Sequence, residues 1–400
     1  MINETIYHQP HLLRNKNTLI IIFSHFSHDL CLGLLPALIP FIRNALELDY
    51  LQAGGLLAAL MVTVGLSQFV GGWLGDRFPR RLLITIGIGG VGVCSFVVGL
   101  SGSYYILIVV FIAMGLFAGL YHPSGLALLF DGVESHKRGR AVAYHMVGGS
   151  VGFLIAPLLG GFIATVLGWQ AAFMLLCIPA FLAVSVWLAF LPNSESQSDK
   201  KRPYKTDLRA VTSWHRLVTV SIMSILMEVV TGAAVAFFAL FLVDVRGFTP
   251  GSATIGLVLL RSGGLVGSLI GGYFSDRWGH HRAVLLSFLA VGPTLLLLSY
   301  LTAVPFFIVL FFFGLFYIMR EVSVQVYLLD ETPTRFRSRL IGIYFGFGME
   351  GSSLIQPLVG HAMDNFGIIS VYIWLGAAST AISIAMPVLL FIRIRKSQQK

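Results

Sequence analysis

Twelve apolar runs, each long enough to cross a bilayer, are joined by short polar segments in this chain, at about 17–42, 50–75, 82–101, 104–131, 139–166, 168–191, 214–243, 250–275, 282–301, 304–329, 338–363 and 367–392. About 20 apolar residues span the hydrocarbon as a helix, so the pattern predicts an all-α integral membrane protein of twelve transmembrane helices. Charge is correspondingly scarce. Charged residues make up 11% of the chain, against roughly 25% in soluble domains, and the mean hydropathy is +0.84.

The formal charge of +9 is explained by where the basic residues fall. All of the 27 Lys and Arg except Arg43, Arg246, Arg261 and Arg320 lie on one side of the predicted membrane, counting the N-terminal segment, alternate loops and the RIRK tail at 393–396. By the positive-inside rule that side is cytoplasmic, and both termini are expected there. The charge is dispersed over short segments and forms no basic face, which argues against nucleic-acid binding. The polar start at 1–16 leads into a run long enough to span and holding an aspartate, so the first helix is expected to be retained and not cleaved as a signal peptide. Cys31, Cys94 and Cys177 sit singly in apolar runs, where they are read as small packing residues and not as ligands or a disulfide framework.

The twelve runs divide into two sets of six. GGWLGDRFPRR at 71–81 reappears as GGYFSDRWGHHR at 271–282, an offset of 200 that carries Gly72 onto Gly272, Asp76 onto Asp276 and Arg77 onto Arg277. LIAPLLG at 154–160 matches LIQPLVG at 354–360, and the RGR run at 138–140 matches RSR at 337–339. Chance similarity between hydrophobic stretches would not keep Asp, Pro, Gly and basic clusters in order, so the chain is read as a duplicated membrane unit. The polar segment PNSESQSDKKRPYKTDLR at 192–209 reads as a cytoplasmic linker. The expected organisation is a six-helix bundle at 1–191, a linker at 192–213 and a second six-helix bundle at 214–400.

The segment from Gly72 through Asp76 and Arg77 to Arg80 and Arg81 resembles the G-x-L-x-D-R-x-G-R-[RK] signature that major facilitator superfamily transporters carry between their second and third helices. Its copy stands between the eighth and ninth. Pro79 replaces the usual glycine in the first copy, and Gly279 retains it in the second. The resemblance, which covers the whole chain, implies two pseudo-symmetric halves working by alternating access. The motif reads as a gate: Asp76 and Asp276 can accept hydrogen bonds only while the cytoplasmic helix ends are together. The bland alternative is that the arginines merely hold the loop in the cytoplasm.

Helix 5 carries GGSVGFLIAPLLGG at 148–161, with Gly152, Pro157, Gly160 and Gly161. It resembles the pattern of proton-coupled antiporters in the same superfamily, with Ala156 in place of the glycine before the proline. Together with SHFSHD at 24–29 and YHPSG at 121–125, this is similar to the fosmidomycin-resistance branch of drug exporters.

Asp29, Glu228, Arg261, Arg320, Glu321 and Glu350 fall well inside predicted helices. Facing lipid, each would cost about 2.5–3.5 kcal/mol, so they are expected to face a cavity or one another. Four acids against two arginines leave carboxylates to bind protons. His25 lies one turn before Asp29 on the same helix face, which makes Asp29 the first candidate for a proton carrier. A structural Asp-His contact is the alternative. Two ligands do not complete a metal site, so none is read there. Arg320 is expected to pair with Glu228 or Glu350 from a neighbouring helix or to bind an anionic substrate. His122 and His145 are candidates to line the cavity.

The sequence therefore predicts a proton-coupled secondary transporter that exports a small organic compound or drug and acts as a monomer in a bacterial inner membrane. Its partners would be the solute, protons and lipid, with no cofactor and no nucleic acid. A dedicated carrier of organic anions or metabolites, such as a siderophore exporter or an uptake symporter, is the rival within transport. A non-transporting membrane sensor is the rival outside it. An enzyme is not expected, for want of a nucleophile triad, metal cluster or phosphate loop.

Overall fold

The computed structural model describes residues 16–75, 77–131, 138–190, 214–331 and 351–398. Among these the chain is helical, with no strand. Among the described residues, eleven spans are long and apolar enough to cross a membrane, counting Trp169–Phe190 as one. The span expected at 338–363 is described only from Gly351 onwards, and the linker at 192–213 lies outside the described residues.

Two compact units are present. The first comprises Met1–Glu47 and Ala59–Lys201, and the second comprises Leu48–Ala58 and Arg202–Lys400. The helices in chain order are α1 (Lys16–Leu46), α2 (Tyr50–Gly75), α3 (Arg80–Leu100), α4 (Tyr104–Asp131), α5 (Arg138–Leu167), α6 (Trp169–Leu176) and α7 (Ile178–Phe190). They continue with α8 (Trp214–Ala236), α9 (Phe238–Asp244), α10 (Pro250–Trp278), α11 (His280–Tyr300), α12 (Ala303–Glu331), α13 (Gly351–Leu354), α14 (Gln356–Phe366) and α15 (Ile368–Gln398). The span expected at 168–191 is present as Trp169–Phe190, interrupted at Cys177 where α6 gives way to α7. Pro179 has no N–H for the carbonyl four residues back, and the chain closes instead with Ala180 N–H on the Cys177 carbonyl at 3.0 Å. Pro357 accompanies the break at Ile355 in the same way.

Glycine sets how near the helices come. In the first unit a Cβ on Gly115 or Gly119 would lie about 2 Å from the side chains of Thr63 or Ser67 on α2. In the second, a Cβ on Gly263, Gly267 or Gly314 would strike backbone across the α10–α12 contact. Small residues thus bring corresponding helix pairs to backbone contact in both halves, the packing mode that replaces the hydrophobic effect in lipid. Outward, Leu66, Phe162 and Leu269 are exposed, as a lipid-facing surface requires.

The two copies of the duplicated motif differ in their turns. Gly279 has φ 87°, a conformation glycine adopts without steric cost, whereas Pro79 stands at φ −56° as its ring dictates. The duplicated sequence therefore does not impose a duplicated turn. Close approach at the first copy belongs to Gly71, where a Cβ would lie 2.3 Å from the Gly119 carbonyl oxygen; a Cβ at Gly72 would meet nothing within 4 Å.

Candidate functional site

In the first unit, α1 presents His25, His28 and Asp29 on one face, since residues three and four apart align along a helix. α4 adds Tyr121 and His122, and α5 adds His145. The Asp29 carboxylate is the hub. His28 donates from Nδ1 to Oδ1 at 2.7 Å, His25 Nε2 lies 3.2 Å from Oδ2, and His122 Nε2 lies 3.9 Å from Oδ1. The His25 ring stacks on His145 with centroids 4.0 Å apart, and Tyr121 stacks on His28 at 4.8 Å. His25, His28, Asp29 and His145 are buried.

The tautomer of His25 follows from its neighbours. Nδ1 lies 2.7 Å from the His145 carbonyl oxygen, which only accepts, so Nδ1 carries a proton. Nε2 then faces a carboxylate oxygen. Without a proton or another cation between them, two lone pairs would oppose each other in a buried site. The pair is thus built around a positive charge. His28 Nε2 and His145 Nδ1 are buried beside it without hydrogen-bond partners, which adds polar capacity that burial makes costly to leave unused.

The glycines of α5 make this arrangement possible. A Cβ on Gly149 would lie 2.3 Å from Asp29 Oδ2, and one on Gly152 would lie 2.6 Å from the Phe26 carbonyl oxygen and 2.8 Å from the Leu30 nitrogen. On Gly160 it would meet Leu34 Cδ2 at 2.8 Å. Pro157 and Gly161 are buried along the same helix. The helix 5 motif therefore lets α5 lie against α1 at the carboxylate. Gly152→Ala should overpack this contact and lower stability by about 1–3 kcal/mol. Gly72→Ala, at an open position, should change it by less than about 0.5 kcal/mol. Unfolding of the two variants in detergent checks the difference, and equal stabilities would refute it.

The second unit holds its own charged group. Arg320, fully buried on α12, donates from Nη2 to Glu228 Oε2 on α8, and Tyr317 donates to Glu228 Oε1 at 2.5 Å. Arg320 Nη1 also lies 3.5 Å from the Ser224 carbonyl oxygen. Glu321, its chain neighbour, accepts from Gln325 at 3.1 Å instead, and Arg261 on α10 lies within electrostatic reach of Glu321. Of the two acids offered as partners for Arg320, Glu228 makes the contact, and Glu350 lies outside the described residues.

The gating motif is only partly described. Asp76 lies outside the described residues, as do the surroundings of Gly272 and the side chain of Asp276. Arg77 stacks over the Trp73 ring at 3.6 Å, Arg81 donates to the Leu188 carbonyl at 2.6 Å, Arg277 donates to the Tyr273 hydroxyl, and Arg80 opens α3. His28 is a site residue that sequence reasoning missed. It stands three residues from the candidate His25, and that helical spacing was the available signal; Tyr317, three residues before Arg320, joins the second group.

The fold and these buried charges define an all-helical, polytopic membrane protein that keeps ionisable groups away from lipid. The sequence profile of the Major Facilitator Superfamily matches residues 21–354 and 259–400. The fosmidomycin resistance protein of Escherichia coli is 23% identical over 88% of this chain and 87% of its own. The quinolone resistance protein NorA of Staphylococcus aureus is 23% identical over 93% and 96%. Among solved structures, the nucleoside transporter NupG superposes with a TM-score of 0.75 at 14% identity, covering 94% of this chain and 99% of that one. The chain belongs to the Major Facilitator Superfamily. It is a membrane transporter and not an enzyme.

Proposed function

We propose that this transporter exports a small organic compound in exchange for protons, with Asp29 and His25 as the proton carrier. The observation that carries the reading is the facing of His25 Nε2 and Asp29 Oδ2 at 3.2 Å while Nδ1 is committed to a carbonyl. Binding and releasing one proton changes that contact from attractive to repulsive, and a contact with two such states is what coupling to a conformational change requires. The names of the fosmidomycin and NorA relatives record resistance to antibiotics, which supports an organic, drug-like solute and outward movement.

The energetics suffice. A proton crossing 100 mV releases roughly 2.3 kcal/mol, while a tenfold solute gradient costs about 1.4 kcal/mol. The rival anion carrier is disfavoured by Arg320, whose charge is already met by Glu228. On this reading Asp76 and Asp276 latch the cytoplasmic ends, both termini are cytoplasmic, and the protein works as a monomer in a bacterial inner membrane.

Proteoliposomes with an acidic lumen and a panel of drugs, organic acids and siderophores test it. At least one drug should accumulate inside as protons leave. Movement of solute and protons in the same direction would replace export with symport, and accumulation indifferent to the pH gradient would overturn proton coupling.

A further inference from the structure

We infer that His25, Asp29 and His122 form a binding site for a divalent transition-metal ion. In the sequence these are two ligands on one helix and a distant histidine. Folding places one donor atom from each within 4.8 Å of the others. Ligands at about 2.0–2.1 Å from a tetrahedral zinc stand roughly 3.4 Å apart. The separations of 3.2 Å from His25 to Asp29 and 3.9 Å from His122 to Asp29 fall on either side of that spacing. These two separations run to different oxygens of the Asp29 carboxylate, and the three donor atoms are gathered only to within 4.8 Å of one another, so closing on an ion requires His122 to move inward by up to about 1.4 Å.

The outer shell is already in place. A ligating histidine usually donates its second N–H to a carbonyl or carboxylate, which fixes the tautomer and aims the lone pair. His25 does so through Nδ1 to the His145 carbonyl, leaving Nε2 free to ligate. His28 holds Asp29 Oδ1 from the other side at 2.7 Å and steadies the carboxylate. Two imidazoles and one carboxylate suit zinc, cobalt or nickel, whereas calcium and magnesium prefer all-oxygen sites.

The geometry also provides an approach. The side chains of His25 and Asp29 are 4% and 7% exposed, but that of His122 is 29% exposed. Three ligands with one open side leave a coordination position for water or for a donor atom of a bound molecule. The inference goes beyond the transport reading. It shares His25 and Asp29 with that reading and adds His122, which proton carriage does not require.

The test uses the full chain, purified in detergent, freed of metal by chelator and titrated with Co²⁺ alone while visible absorption is recorded. One equivalent should bind with the d–d bands of a nitrogen- and oxygen-ligated site. His122→Ala and Asp29→Asn should each weaken binding at least about tenfold, and His361→Ala, an exposed histidine of α14, should leave it unchanged. Should His122→Ala fail to fold, His122→Gln keeps the side-chain volume and removes the imidazole. Absence of saturable binding, or binding indifferent to both His122 and Asp29, would overturn the site. Gradient-driven transport measured with chelator present separates the two readings. Transport without Co²⁺ binding defeats only the metal site, and Co²⁺ binding without gradient-driven transport defeats only proton coupling.

Discussion

Asp29→Asn should reduce solute accumulation driven by a two-unit pH gradient from as much as about 100-fold to about 1-fold. One pH unit is worth about 1.36 kcal/mol per proton, a tenfold solute ratio costs the same, and a carrier without its proton site loses that link. The substitution preserves shape. An asparagine amide can donate to His25 Nε2 at the 3.2 Å contact, imitating the protonated pair in a form that cannot release its proton. Folding should therefore survive, and solute exchange without a gradient should continue. A variant with unaltered gradient-driven accumulation would remove Asp29 from the coupling mechanism. A variant that fails to fold would show a structural Asp-His contact, and Asp29→Glu, which restores the carboxylate, would then decide whether coupling follows charge or shape.

The second large effect is expected at Glu228 and Arg320. Removing one partner of a buried pair strands the other charge and costs about 3–5 kcal/mol. Arg320 is fully buried and Glu228 nearly so, with Tyr317 supporting the carboxylate. Glu228→Gln and Arg320→Met should each lower stability by that amount in detergent unfolding. The double variant Glu228→Met/Arg320→Met should recover much of the loss, because a matched apolar pair carries no desolvation penalty. The double-mutant cycle isolates the pair's coupling. Single variants as stable as the parent would show that Arg320 finds another counter-charge and would reopen the anion-carrier reading.

The degree to which this protein could be read in advance differs between its levels. Apolar runs announce their spans because lipid admits little else over that length. The duplicated Asp-Arg motif carried the family, since its order of glycine, acid and bases is unlikely to recur by chance. Breaks at Cys177 and Ile355 were missed, although Pro179 and Pro357 stand beside them, because prolines elsewhere continue through long helices, as Pro36 and Pro40 do in α1. At the site, His25 and Asp29 were legible as a pair one turn apart. His28 carried a signal in its spacing from His25, but contact with its neighbour Asp29 was not legible because adjacent residues ordinarily point away from each other; its Nδ1 nonetheless donates to Asp29 Oδ1.

The sequence by itself determined what must be buried. A membrane helix cannot leave Asp29, Glu228 or Arg320 in hydrocarbon without cost, and that constraint is written in composition and spacing along one chain. Only the tertiary structure decided which buried groups meet. His122 comes to Asp29 from α4, and His145 comes to His25 from α5, the latter because Gly149 and Gly152 remove the side chains that would hold α5 away from α1. Such encounters depend on differences of a few tenths of an ångström in interhelical distances of about 8–10 Å. Periodicity within one helix carries no information at that scale, because the distance between two helices is set by the side chains of both.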